Sequence, residues 1–385
     1  MAQPMSDGFI AALKSSNQRS ITKVEILDSE SLAVLKTLTN VDDGSVTVDV
    51  SRGTRRTFQL RISNKDGMFT PKTWESDLSF GRTVRIYRGL QFYDPTVNKL
   101  VDEYALLGTF LIDRPEVFVE RNMSVITLDG SDLWKKIASG GFPSGYSFAA
   151  NTHVNTIIAK VAEISGITVE RMSLDPLDSL TDNERLTNSI VAWEEGDNRS
   201  DFLQNIVTQF GLYVYFTPSG ILTSEKAKQP SDQTPVWHFS PGEDSVMLGV
   251  TKTQSDLKLV NHIIVTGESA YSTYARYEIQ DTDPDSPTYV NGPMGNRVLL
   301  FRAPQVYNTT QAANVALKLW LENALVEENI KVPSLCLPHL EGNDVVEVTE
   351  PISGVADKYL AQRFEIPLRD FRMTIESKKG RVIPT

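Results

Sequence analysis

Cysteine is nearly missing: Cys336 is the single one in 385 residues. A lone thiol excludes internal disulfides and thiolate metal clusters. Histidine is scarce as well. The four present, His153, His238, His262 and His339, never form an HExxH or His-x-His pattern, so a zinc site lacks its local framework. No apolar run reaches the ~18–20 residues of a membrane-spanning helix. The opening MAQPMSDGFIAALKSS has no basic stretch before its short apolar patch and does not read as a secretory signal. The expectation is a protein folded in the cytoplasm. Positive charge is in deficit, with 38 Lys and Arg against 49 Asp and Glu, a formal net charge of −11. A surface of that sign repels phosphates and disfavours a general role in coating DNA or RNA. No Walker or dinucleotide glycine pattern occurs; the glycines are scattered at turns. What remains is ordinary folded-protein composition, 40% apolar and 23% charged, in a chain long enough for two to four domains.

The pattern along the chain predicts a mainly β protein with an α+β middle. Residues 1–18 read as an N-terminal arm carrying a short helix through Phe9, Ile10 and Leu13. Period-two alternation dominates 19–139. Val46, Val48 and Val50 share one face of GSVTVDV, and Phe58, Leu60 and Ile62 alternate with Thr57, Gln59 and Arg61. Turn residues at 42–44, 64–67 and 120–122 separate the strands, so this region reads as a first antiparallel β-barrel domain.

An α+β domain is expected over 140–230 plus 306–334. Thr152 is a candidate cap for a helix through Val154, Ile157, Ile158, Val161 and Ile164, with Gly166 as its stop. Asn198 or Ser200 can cap a second helix, whose stripe is Phe202, Leu203, Ile206, Val207 and Phe210 and which Gly211 ends. LYVYFTPSGILTS reads as a hairpin with Pro218-Ser219-Gly220 at its tip. Thr310 is a candidate cap for a long helix with Ala313, Ala316, Leu317, Trp320, Leu321, Ala324 and Leu325 on one face. That helix is expected to dock on the α+β domain. Strand signals over 231–305 plus 335–385 predict a second, similar β-barrel domain, with a long exposed loop at about 269–297. The order β, α+β, β suggests an old duplication.

Reaction centres find little support. Ser144 in GGFPSG is not in a Gly-x-Ser-x-Gly elbow and reads as linker. Asp281, Asp283 and Asp285 start like a calcium loop, but Ser286 stands where Gly is needed and Gly292 where Glu is needed. Glu194 and Glu195 are adjacent, so they point apart in an extended segment and read as a polar lead-in to a helix. Arg52, Arg55, Arg56 and Arg61 form a basic cluster able to face a phosphate or an acidic partner; a solvated sheet face is the default expectation. The basic run Ser377–Arg381 reads as a frayed terminus. No catalytic, cofactor-binding or metal-ligating residue is assigned, and no cofactor is expected.

One ordered combination is more specific. The run VDDGSVTVDVSRGTRRTFQLRISNKDG from Val41 resembles the first domain of tail hub proteins of tailed bacteriophages and related injection machines. FGRTVRIYRGL and LLGTFLIDRPEV follow in the order expected of that family, and VITLDGSDLWKKI resembles its exit from the first barrel. WEEGDNRSDFLQNIVTQFGLYVYFTPSGILT resembles its central domain, and DLKLVNHIIVTGES its entry to the second barrel.

The resemblance implies a homotrimer in which each chain contributes two barrels, giving a ring of near-sixfold symmetry. Such a ring would adapt a hexameric tail tube to a threefold tip, spike or fibre. It implies a tail tube or distal tail protein and a tip spike or fibre protein as partners, a tape measure protein as a further one, and DNA in transit through the lumen. It places the protein in the virion tail, assembled in the host cytoplasm. Thr385 follows soon after the second barrel, so no further lytic domain is expected. Two other readings stand beside it. A tail-associated cell-wall hydrolase would need a pocket of convergent His, Glu or Asp. A carbohydrate-binding receptor protein would need exposed aromatics, for which Trp74, Tyr93, Tyr271, Tyr274 and Tyr277 are available.

Overall fold

The structure is a computed structural model. It describes residues 2–379 apart from 16–18, 30, 40, 122, 175–185, 243–244, 254–259, 268–274, 287 and 324–328. Helix α1 (Asp7–Lys14) leads into β1 (Arg19–Leu27), β2 (Val34–Leu38), β3 (Val41–Asp49), β4 (Arg56–Ser63), β5 (Thr83–Asp94), β6 (Lys99–Glu120) and β7 (Met123–Asp132). The middle region holds α2 (Trp134–Ala138), β8 (Tyr146–Phe148), α3 (Val154–Ile164), β9 (Met172–Leu174), β10 (Val191–Trp193), α4 (Arg199–Thr208), β11 (Leu212–Phe216) and β12 (Leu222–Lys226). Then come β13 (Trp237–Phe239), β14 (Thr251–Thr253), β15 (His262–Gly267), β16 (Arg276–Gln280), β17 (Val298–Ala303) and α5 (Thr309–Asn323). The chain finishes with β18 (Asn329–Leu335), β19 (Val345–Glu350), β20 (Val355–Pro367) and β21 (Arg372–Lys379).

Alternation does what the sequence predicts within each strand. In β4 the residues run buried, exposed, buried throughout, with Phe58, Leu60 and Ile62 inside. Two closed barrels do not result. The strands of both β regions join one 13-stranded sheet in the order β14-β18-β21-β20-β3-β4-β7-β6-β5-β1-β2, with β19 beside β20 and β13 beside β19. The first region curls until β1 approaches β3, but among the described residues no ladder links the two. The edge of β3 is instead taken by β20, with Val46 opposite Ile366 and Val48 opposite Phe364. A strand edge must pair or be solvated, and a long strand from the far end of the chain satisfies it here.

One hydrophobic core runs across the joint. It holds Val46, Phe58, Ile86 and Phe110 from the first β region and Phe239, Val348, Phe364 and Ile375 from the second. Helix α1 closes over it. The Ser6 hydroxyl accepts from Phe9 N at 3.1 Å as the N-cap, and Phe9 and Leu13 are buried. The arm is therefore docked, and Gln3 donates from Nε2 to Leu106 O at 2.6 Å and to Glu341 Oε1 at 3.0 Å.

The middle region has its own core around Trp134, Ile157, Val161, Trp193, Leu203 and Phe216. Its helices form where the apolar spacing predicts. The caps are shifted, however: His153 Nδ1 accepts from Asn155 N at 3.1 Å, so His153 and not Thr152 caps α3. Asn198 caps α4, accepting from Asp201 N at 3.1 Å. At α5 the acceptor is Asn308 Oδ1, 2.8 Å from Gln311 N, rather than Thr310. Gly166 and Gly211 take positive φ at helix ends, and Gly220 does so at the β11–β12 tip.

Helix α5 is buried more widely than one stripe. Val315, Ala316, Leu319 and Trp320 pack on Ile263 and Val265 of β15, while Lys318 reaches the α4 side through Thr208. It thus lies between the three-stranded sheet β16-β15-β17 and the middle region, whereas residues 329–334, grouped with the middle region on sequence, belong to β18 of the large sheet. The expected loop at 269–297 is not a plain flap. Strand β16 lies inside it, and Asp281, Thr288 and Val290 are buried.

Candidate functional site

The residues singled out on sequence do not converge. His238 is exposed and pairs with Glu347 at 2.7 Å. His262 sits between Glu278 Oε1 at 2.7 Å and Asn296 Oδ1 at 3.1 Å. His153 is a helix cap. Among the described residues no group of three His, Cys, Asp or Glu could hold a metal ion. Asp281 accepts from the Ser286 hydroxyl at 2.6 Å and the Thr288 hydroxyl at 2.7 Å. The Asp281 carboxylate is thus held by its own loop. Ser144 is exposed, and its carbonyl accepts from Trp193 Nε1 at 3.1 Å. Glu194 and Glu195 are exposed ahead of α4, as a polar lead-in should be. Cys336 is buried, and burial pushes its thiol up to about 11. Trp74 and Tyr93 are exposed, Tyr277 packs beside the β15 sheet, and Tyr271 and Tyr274 lie outside the described residues.

His339 is 4% exposed, with its ring centroid 6.4 Å from Phe9 and 5.6 Å from Trp237. Burial lowers its pKa to about 4. The unfolded chain protonates this ring below about 6.5 while the folded chain keeps it neutral, so stability falls as pH drops from about 6.5 towards 4. Buried Asp132 and Asp344 act in the opposite sense, because burial pushes both up to about 6 and the folded chain then binds their protons first. Their contribution rises as pH falls from about 6 to about 4. His339→Phe is expected to remove about 2 kcal/mol of acid destabilisation between pH 7 and pH 5. Urea midpoints at pH 7 and pH 5 check this: the variant should be the more stable at pH 5, and an unchanged pH profile would refute the assignment.

The basic cluster divides. Arg52 is exposed and pairs with Asp49 at 3.3 Å, and Arg61 is exposed near Met123. Arg55 and Arg56 are buried, at 6% and 5% exposure. The expected solvated face therefore holds for two of the four. Arg56 lies on the inward face of β4 with Phe58, so the period-two pattern carried the signal for its burial. Its guanidinium pairs with Glu341.

The surface is distinctive at the ends of the long strand β6. One end, with the tip of β5, exposes Tyr93, Val97 and Leu100. At the other end every residue from Glu116 to Glu120 is exposed, so the β6–β7 hairpin leaves the body with both faces in solvent. It carries Val117, Phe118 and Val119, the last 70% exposed, and Met123 on the returning strand. Consecutive exposed apolar residues on a projecting ribbon are the mark of a protein contact rather than of a core. Ile352, 97% exposed, tips the β19–β20 turn in the second region.

The geometry as a whole has precedents. A tail protein from Neisseria meningitidis MC58 superimposes over 94% of this chain and 96% of its own, with a TM-score of 0.65 at 13% identity. The chain has the fold of that tail protein. The 43 kDa tail protein of prophage MuSo2 from Shewanella oneidensis covers 94% of this chain and 98% of its own, with a TM-score of 0.62 at 13% identity. An Escherichia coli component of the type VI secretion system, itself described as similar to T4 bacteriophage tail proteins, covers 94% of this chain and 79% of its own, with a TM-score of 0.55 at 9% identity. No protein-family model and no curated protein matches the sequence. The tail-protein fold therefore extends over both β regions and the middle region at an identity too low for sequence matching to register.

Proposed function

We propose that this chain is a structural hub of a phage tail tip or baseplate and catalyses no reaction. The observation that carries the reading is the tail-protein fold over 94% of the chain. Three copies close into a ring. Each supplies two β regions, so six similar surfaces meet a hexameric tail tube and three meet a tip, spike or fibre. The partners are other copies of the chain, a tail tube or distal tail protein, a spike or fibre protein and a tape measure protein, with DNA passing through the lumen of the virion tail. Cyclic closure needs a heterologous contact between unlike patches. The projecting β6–β7 hairpin offers an apolar patch of the right kind, and β14 and β2 stand at the two ends of the large sheet's strand order.

Mass measurement and imaging of the purified protein, alone and with a tail-tube partner, test this reading. Three subunits around a central hole are expected. A monomer that stays single with its partner present would overturn it. Phe118→Asp with Val119→Asp should abolish ring formation while shifting subunit stability by no more than about 0.5 kcal/mol, since neither side chain is buried. A ring that survives the double change would remove the hairpin from the interface.

A further inference from the structure

A cavity of about 440 Å³ opens where four parts of the chain meet. The segment after β3 contributes Arg55, the β11–β12 hairpin Tyr213 and Tyr215, helix α5 Lys318, and the stretch before β19 Asp344. Its charge runs against that of the molecule. Among the described residues the lining has six cationic side chains (Arg52, Arg55, Lys226, Lys228, Lys318, Lys378) and three carboxylates (Glu225, Glu322, Asp344), in a chain of net charge −11.

Arg55 is the centre of this arrangement. The guanidinium carbon lies 3.6 Å from the Tyr215 ring centroid and 5.8 Å from that of Tyr213. The side chain is 6% exposed, yet it makes no ion pair and no side-chain hydrogen bond among the described residues. Glu225 is a nearby opposite charge that favours the ionised guanidinium without a hydrogen bond to it, while its Oε1 accepts from the Tyr215 hydroxyl at 3.0 Å. Lys318, 4% exposed, gives its ammonium to Thr208 Oγ1 at 3.0 Å and stands 3.8 Å from Glu322. Burying a guanidinium without an acceptor hydrogen-bonded to it is costly, and proteins ordinarily pair such groups directly or coordinate them. An aromatic platform holds a guanidinium flat and leaves its donor edge pointing away from the ring, which suits two-pronged contact with an oxyanion.

We propose that this cavity binds a small phosphate-bearing anion, with Arg55 as the principal ligand and Lys228 at the mouth. The excess of cations suits a multiply charged group better than a single carboxylate. The volume falls within the range of small-molecule sites and is too small for a nucleic-acid duplex. The anion would sit at the joint of both β regions, the middle region and α5, so its binding should stiffen that joint. The proposal does not depend on the assembly reading, since a single subunit contains the whole cavity.

Isothermal titration of the purified chain at low ionic strength, with inorganic phosphate and with pyrophosphate as probes, tests it. One saturable site per chain is expected, tighter for pyrophosphate. Arg55→Gln should weaken binding at least tenfold, with partial recovery in Arg55→Lys, which keeps the charge without the fork. Lys228 is exposed, so Lys228→Gln tests the site without risk to folding and should weaken binding about threefold. The probe should raise the melting temperature of the wild type and not that of Arg55→Gln. Absence of binding of both probes to the folded wild type at millimolar concentration overturns the site. So does equal affinity in wild type, Arg55→Gln and Lys228→Gln. A short single-stranded oligonucleotide that binds while both small probes fail would also overturn it, by moving the interaction to the surface.

Discussion

Replacing Glu341 by alanine is expected to destabilise the folded chain by about 3–5 kcal/mol. Glu341 is the counter-charge of Arg56, and the two side chains are 11% and 5% exposed. Arg56 Nε and Nη1 have no hydrogen-bond partner among the described residues, so the carboxylate is the main compensation for this cation. Removing it leaves a buried unpaired guanidinium and takes one of its acceptors from Gln3 Nε2, which still donates to Leu106 O. The pair spans 285 positions of sequence and ties β4 of the first region to the approach of β19 in the second. Urea denaturation gives the measurement. The swap of both residues, Arg56→Met with Glu341→Leu, should recover most of the loss, because a hydrophobic pair has no charge to desolvate. A single Glu341→Ala variant within 1 kcal/mol of wild type would show that water reaches Arg56.

Phe9→Ala should cost a further, separable amount of about 3–5 kcal/mol. Phe9 is fully buried. Its ring meets Phe92 of the first region edge-on at 6.5 Å and His339 of the second at 6.4 Å. The phenyl group thus fills a space that neither region closes alone. Truncation leaves a cavity between them as well as lost apolar burial. Limited proteolysis provides an independent reading: helix α1 should become cleavable at Lys14 in the variant before the sheet unfolds. If the variant keeps both its denaturation midpoint and its protection at Lys14, the helix is not a fastener of the joint.

Much of the local structure was legible in the residues. The valines at 46 and 48, the Phe58-Leu60-Ile62 series and the stripe Ile157-Ile158-Val161 are buried where a period of two or of 3.6 places them. Gly166, Gly211 and Gly220 mark the ends and the tip they were read to mark. The caps slipped by a residue or two at α3 and α5, because His153 and Asn308 offer acceptors as good as the threonines and only backbone direction decides between them. The hydrogen bonds of Ser286 and Thr288 to Asp281 were not legible, because they depend on how that loop folds back.

The amino-acid order by itself determined the strands, the helices and the faces they bury, since those follow from the spacing of apolar residues over a few positions. The tertiary structure alone decided that β3 takes β20 as its neighbour instead of closing a barrel, that one core serves both β regions, and that two of four clustered arginines go inside. The physical reason is range. Edge pairing and charge desolvation depend on groups hundreds of residues away, and no local period records which distant edge or carboxylate will arrive.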